Sequence, residues 1–572
     1  NLINCAIGTS IVGGTLNTAS AACSFIGGGD RNIACASWSF VGSGFRNTAS
    51  GAISAIAGGN DNVADGQNSF IGGGDLNENR GFKSVLVGGS TNCVTNSCSA
   101  IVGGCLNVTT GIFNFIGGGL CNNQDISSNS FIGGGRENKM SSQVSDSSIV
   151  GGCCNCIKGV GGLPSNPSNQ SFIGGGCQNL INCAIGTSIV GGTLNTASGA
   201  CSFIGGGESN INLGSRSSLV GGYQNLLAGS CSFIGGGTQN TASRFGSIVG
   251  GSNNFIDAAG IADFGSIVGG ANNTVGGCYN FIGGGVNNSS SADFTSIVGG
   301  QLNTASGACS FIGGGNRNIA CGLNSSVVGG TLNTASGESS FIGGGIRNIS
   351  SVDYSNILGG SNNTISSGYT QNSIIVGCQN CMYATGEGNT IIGGYCNTLS
   401  GYTNFSTIVG GFRSVGSAAF GLFIGGGALN TVSATYGSIV GGQCNTASAA
   451  CTFIGGGNRN IACGLNSSVV GGTLNTASGV CSFIGGGECN YNNDFRSSIV
   501  GGLKNIAKIT GKGNQFIGGG QENTASGNYS FIGGGSCNQT LTSFATVVGG
   551  TLNTASGTRS FIGGGECNYV KD

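Results

Sequence analysis

The chain has 572 residues, of which 120 are glycine and only 7% are charged, and its 19 basic and 20 acidic residues leave a net charge of −1. Glycine does not recur at every third position, which excludes collagen, and the evenly spaced β-branched residues exclude disorder. The sparse, balanced charge offers no basic stripe for nucleic acid, and Gly or Ser interrupts every apolar run well short of the roughly 18 residues a membrane-spanning helix needs.

The dominant signal is an internal repeat. In chain order, an Asn follows each Gly-Gly pair at Asn17 and Asn32, on through Asn303, Asn318, Asn333 and Asn348, to Asn553 and Asn568. There are 36 such positions, of which only Ser414 is not Asn, and 24 of the 35 intervals share one 15-residue step, as from Asn303 to Asn318. Residues 1–20 are identical to residues 179–198, which lie in mid-array, so Asn1 is expected to be a cut or processed end with any signal or anchor outside this stretch.

Each unit contains two strand-like stretches, one around Ser-Phe-Ile and one around Asn-Thr-Ala-Ser, joined by Gly-rich corners. Coils of the type Ser310-Phe311-Ile312-Gly313-Gly314-Gly315 alternate with coils of the type Ser325-Ser326-Val327-Val328-Gly329-Gly330, so the full rhythm is two coils. A unit this short cannot bury its own apolar residues, and stacking covers them with the coil above and below. The expected fold is an all-β parallel β-solenoid, a β-roll or β-helix of about 36 coils with a 15-residue period, continuous over residues 1–572. At ~4.8 Å per coil it would span roughly 170 Å. The Asn column is expected to form a ladder, its side chains bonding one another and the backbone of adjacent coils. The Gly-rich segments recur in every coil and lack the Lys-Ser/Thr of a phosphate loop, so they read as corners.

Ile312 and Val327 occupy one side of their strand, while Phe311 and Val328 occupy the other, because successive residues of a strand alternate. A thin coil cannot easily bury both, so one apolar stripe should face outward and seek a partner. The expected partner is a second and third copy of the chain, a homotrimer, with Phe311, Ile312, Val327 and Val328 as candidate interface residues. The alternative is a flattened solenoid in which Gly columns make room for both sides.

Three insertions interrupt the array, near residues 156–170 (with Pro164 and Pro167), 255–265 and 506–515; all lie between the Asn strand and the next Ser-Phe-Ile strand, at one edge, where a recognition loop could sit. The 27 Cys invite a disulfide framework, but Cys201 and Cys231, or Cys537 and Cys567, share a column two coils apart, about 9.6 Å, beyond disulfide reach. The cluster Cys153, Cys154 and Cys156 is the densest and lacks the spacing of a zinc site. Unpaired thiols at this density suit assembly in a reducing cytoplasm, as for a virion component.

There is no His, which rules out Ser-His-Asp, Cys-His and His-metal arrangements. Carboxylates such as Asp30, Asp75, Glu208, Glu488 and Glu566 stand alone at the turn before the Asn, or beside Arg as in Arg136-Glu137. No catalytic residue, metal site or cofactor is expected.

The strings Asn195-Thr-Ala-Ser-Gly199 and Ser202-Phe-Ile-Gly205 resemble the head repeats of YadA-like trimeric autotransporter adhesins, and the related Gly-rich arrays of phage and giant-virus fibre proteins. The resemblance implies a left-handed parallel β-roll, association of three chains, and adhesion at an extracellular, cell or virion surface, with a host-surface glycan or receptor as a further partner. The period here is one residue longer than the adhesins'. Two other functions fit a solenoid. Recurrent Thr18-Ala19-Ser20 strings could template ice, although Ile33-Ala34-Cys35 and Ile319-Ala320-Cys321 break the lattice. A glycan-binding or glycan-processing solenoid would, for catalysis, need clustered carboxylates. The reading the sequence favours is a structural or attachment fibre with no catalysis.

Overall fold

A computed structural model describes residues 1–4, 6–159, 170–257, 263–366, 371–417, 420–508, 511 and 513–571. The described secondary structure is entirely β, and the strands are parallel and repeat with a 15-residue period, forming a β-solenoid of about 36 turns. Two compact units divide it, Asn1–Asn287 and Asn288–Asp572. Pro164, Pro167 and the middle of the insertion at residues 156–170 lie outside the described residues, as do 258–262 and residues 509, 510 and 512 of the other two insertions.

Both units use the same coil, shown here by residues 303–333. Thr304–Ala305 forms one short strand and Phe311–Ile312 another. In one sheet Thr304, Ile319 and Thr334 stack in register, with Ala305, Ala320 and Ala335 beside them. In the other Phe311, Ser326 and Phe341 stack, beside Ile312, Val327 and Ile342. A third column of single bridges, Gln301 to Asn316 to Thr331, closes the coil.

The strand alternation decides what is buried. Ala305 and Ile312 are both 0% exposed, so in this coil the core is Ile or Val from one sheet meeting Ala from the other, and in other coils Met140, Ile157, Ile365 or Met382 takes the place of the Ala. Each buried Ile contributes roughly 2 kcal/mol relative to exposure. Buried Asn and Ser columns, represented by Asn318 and Ser310, flank this narrow core. The first unit repeats the pattern, with Ile26, Val41 and Ile56 facing Ala19, Ala34 and Ala49.

Glycine is not the only residue at the corners. Gly330 has φ +88°, but Asn324 and Leu332, at the other two corners of the same coil, have φ of +55° and +58°. The left-handed region costs an L-residue roughly 1–2 kcal/mol, so stacking must hold it. The peptide orientation shows how. The N–H of Phe311 donates to Ser325 O of the following coil at 2.9 Å, while the N–H of Asn324 and of Leu332 donate backward, to Ala308 O and Asn316 O, both at 2.9 Å. Strands bond forward and left-handed corners bond backward, so each coil is tied to both neighbours.

Candidate interaction faces

The Asn column is a continuous bonding device. Asn318 Oδ1 accepts from the backbone N–H of Asn333 at 3.0 Å. Its Nδ2 donates to Gly314 O of its own coil at 2.8 Å and to Gly330 O of the next at 3.0 Å. One amide thus uses its acceptor and both donors to fix two corner carbonyls and the next backbone N–H. Asn17 makes the same bonds to Gly13, Gly29 and Asn32, and Asn303 to Gly299, Gly315 and Asn318. The pattern continues at Asn333 and Asn348, and Asn553 and Asn568 carry it through the last coils. At Ser414 the backbone N–H still bonds Asn397 Oδ1, at 3.0 Å, but its hydroxyl has no partner among the described residues.

The four residues expected at an oligomer interface separate into two pairs. Ile312 and Val327 are fully buried in the chain's own core and present nothing to a partner, because they point inward from their strand. Phe311 and Val328, 36% and 46% exposed, point outward. The outer face therefore carries Phe from one coil and Val from the next, through Phe453, Val470, Phe483 and Val500 in the second unit and Val190, Phe203, Val220 and Phe233 in the first. The Gly two residues after the Phe has a direct cause. A Cβ added there would lie 2.3 Å from the carbonyl oxygen of the Val in the next coil, Val220 O at Gly205 and Val328 O at Gly313, and the Phe203 ring lies in ordinary contact beside Gly205. Where two Phe coils adjoin, the rings stack, as for Phe25 and Phe40 at 5.3 Å between centroids and Phe516 and Phe531 at 5.2 Å.

The opposite face carries the Thr column. Thr304, Thr334 and Thr364 alternate with the exposed Ile319 and Ile349, so its hydroxyl rows are spaced by two coils.

Some charged groups lie on the corners and others, such as Glu78 and Lys139, on the strands. Arg46 pairs with Asp61 at 2.7 Å and lies over the Phe45 ring, 4.7 Å from its centroid. Arg244 donates from Nε and Nη2, one edge of its guanidinium, to the two carboxylate oxygens of Asp263, and that hydrogen bonding holds the Asp263 carboxyl below its ordinary range. Among the described residues no three His, Cys, Asp or Glu side chains are grouped to hold a metal ion.

The Cys column contains one pair that the two-coil spacing hid. Cys153 and Cys177 form a disulfide, with Cα atoms 4.7 Å apart. Both stand two residues before an Asn of the column, Asn155 and Asn179, and the 24-residue separation conceals that these Asn are adjacent rungs. Counting from the Asn, and not along the chain, reveals the pair. Burial raises the Cys156 thiol pKa, and burial followed by Glu78 raises that of Cys93. Alkylation at pH 8 with mass-spectrometric mapping should therefore label the exposed Cys309 ahead of Cys93 and Cys156, and reach Cys153 and Cys177 only after reduction.

Concavities interrupt the faces, and two of them lie in different units. A groove of about 630 Å³ in the first unit is lined by Gln224 and Gln239, which bond each other at 3.0 Å, together with Ile211 and Leu226. A cleft of about 300 Å³ in the second is lined by Glu387, Tyr402, Asn404, Phe405 and Phe420. The sequence reading singled out neither; the signal for the second was a run of lengthened, 17-residue steps from Asn363 through Asn380 and Asn397 to Ser414. No protein-family model matches the chain, and no curated protein matches it.

Proposed function

We propose that this chain is a structural or attachment fibre without catalytic activity, acting as a homotrimer on a cell or virion surface. The observation that supports this reading best is the outward row of Phe and Val, which repeats in both units and stays exposed among the described residues. Such a row spends exposed apolar area that a monomeric surface normally avoids, and a repetitive stripe is best covered by the identical stripe of another copy. Burying one Phe or Val per coil contributes about 1–2 kcal/mol each after discounting for the area already covered, so a modest number of coils suffices to hold copies together. The resemblance to adhesin heads supports three copies and a surface role.

The test is the mass of the intact protein in solution. Light scattering is expected to give three times the 55.9 kDa chain mass. A variant carrying Phe311→Ser, Val328→Ser, Phe453→Ser and Val470→Ser is expected to dissociate measurably more at low micromolar concentration, while hydrogen exchange at Ile312 and Val327 stays slow. A wild-type monomer, or an oligomer indifferent to these substitutions, contradicts the reading.

A further inference from the structure

The segment around residues 380–436 breaks the uniformity of the array in a coordinated way. Asn380 to Asn397 and Asn397 to Ser414 are both 17-residue steps, and Ser414 to Asn430 also exceeds the ordinary step. In the first two the extra residues fall at the same turn, between the strand after the column residue and the next outward strand, and Phe420 of the third coil lies against that turn. Stacked insertions at one edge build a local wall. From the first comes Glu387, from the second Tyr402, Asn404 and Phe405, and from the third Phe420.

The wall is held from below. Asn389 takes the buried position that Ser occupies in ordinary coils, and its Nδ2 donates to Gly386 O and Thr403 O at 3.2 and 2.6 Å. Its Oδ1 accepts from the N–H of Ser406 at 3.1 Å. Asn404 Oδ1 accepts from the Glu387 N–H at 2.8 Å, which ties the first two inserted turns together. Glycines make room for the rings: a Cβ on Gly388 would lie 2.8 Å from Phe405 Cδ1, and one on Gly421 3.0 Å from Tyr436 Cδ1.

The rings are set at angles and left in water. Phe405 and Phe420 meet at 68° with centroids 5.6 Å apart, and Phe420 and Tyr436 at 74° and 5.7 Å. Tyr402 is 72% exposed and Phe405 60%. Exposed rings at steep angles present electron-rich faces in more than one direction. Glu387 is exposed among them, and no cationic side chain among the described residues pairs with it.

We infer that this cleft binds an organic ammonium group, such as a trimethylammonium head or a methylated amine. Ring faces attract a diffuse cation and one carboxylate neutralises it. A neutral sugar would use the rings but leave the carboxylate without a counter-ion, and an anion would be repelled by it. Nothing in this assignment depends on the fibre reading or on the number of chains.

Choline titrated into the intact protein and followed by calorimetry or saturation-transfer NMR tests it. Binding is expected with a dissociation constant on the order of 1 mM, as suits a partly exposed site. Glu387→Gln and, separately, Tyr402→Ala should each weaken it by roughly five- to tenfold. Both side chains are exposed, so unchanged circular dichroism is expected to accompany the loss. The neutral isostere 3,3-dimethylbutan-1-ol should bind at least about fivefold more weakly than choline. Equal binding of the isostere, indifference to both variants, binding of methyl glucoside in place of choline, or no binding at tens of millimolar would each overturn the assignment.

Discussion

Gly330→Ala is expected to break the stack where it stands, at a cost of more than about 5 kcal/mol, whereas Gly329→Ala, one residue earlier, should change stability by less than about 1 kcal/mol. The two glycines look interchangeable in the repeat and are physically opposite. A Cβ on Gly330 would lie 2.1 Å from Gly345 O and 2.6 Å from Asn333 Nδ2, and the residue has φ +88°. The obstructing atoms are the next coil's backbone and the ladder amide itself, neither of which can move without losing its own bonds. A Cβ on Gly329 would meet nothing within 4 Å. Hydrogen exchange resolved by coil is the suitable readout, because a long repeat array need not unfold in one step. Protection is expected to collapse around coils 318–348 in the first variant and to match wild type in the second.

The second large effect is expected for Asn318→Ala, at about 3–6 kcal/mol. The substitution removes the fully buried amide that bonds Gly314 O and the Asn333 N–H and leaves those two groups without it, while Gly330 O keeps the Asn316 N–H at 2.9 Å. Each buried group left unpaired costs about 1–3 kcal/mol, and the removed side chain is too small to supply much apolar burial in return. Asn318→Asp is a sharper probe. It keeps the acceptor for Asn333 but turns two donors into acceptors facing carbonyls, and a buried charge with that surrounding has its carboxyl pKa raised in the fold. The folded state then binds more protons than the unfolded one, so the variant should lose stability as pH rises and regain part of it on acidification. A ladder that served only to fill space would tolerate Asp at all pH values nearly as well as Asn.

Much of this architecture was legible because each coil repeats its neighbour's problem. The side-chain period of two placed Ile312 and Val327 opposite Phe311 and Val328, and the recurring Asn announced a ladder. Three features were hidden for physical reasons. Which of the two stripes turns inward is not set by the alternation, which either choice satisfies; Ile312 and Val327 turn inward and Phe311 and Val328 outward. The left-handed corners at Asn324 and Leu332 carry no composition signal, since backward hydrogen bonding to Ala308 and Asn316 holds residues of any shape there. The aromatic cleft arises from insertions that drift in length, and only their coincidence at one edge of consecutive coils brings Tyr402, Phe405 and Phe420 together.

The central proposal is that the outward Phe and Val columns are covered by other copies of the chain. Electron cryomicroscopy of the assembled particle, viewed in cross-section, tests it most directly. Three solenoids about a common axis are expected, with Phe311 and Val328 facing that axis and the Thr304 column facing solvent. A particle showing a single solenoid, or several joined through another face with Phe311 and Val328 open to solvent, would contradict it.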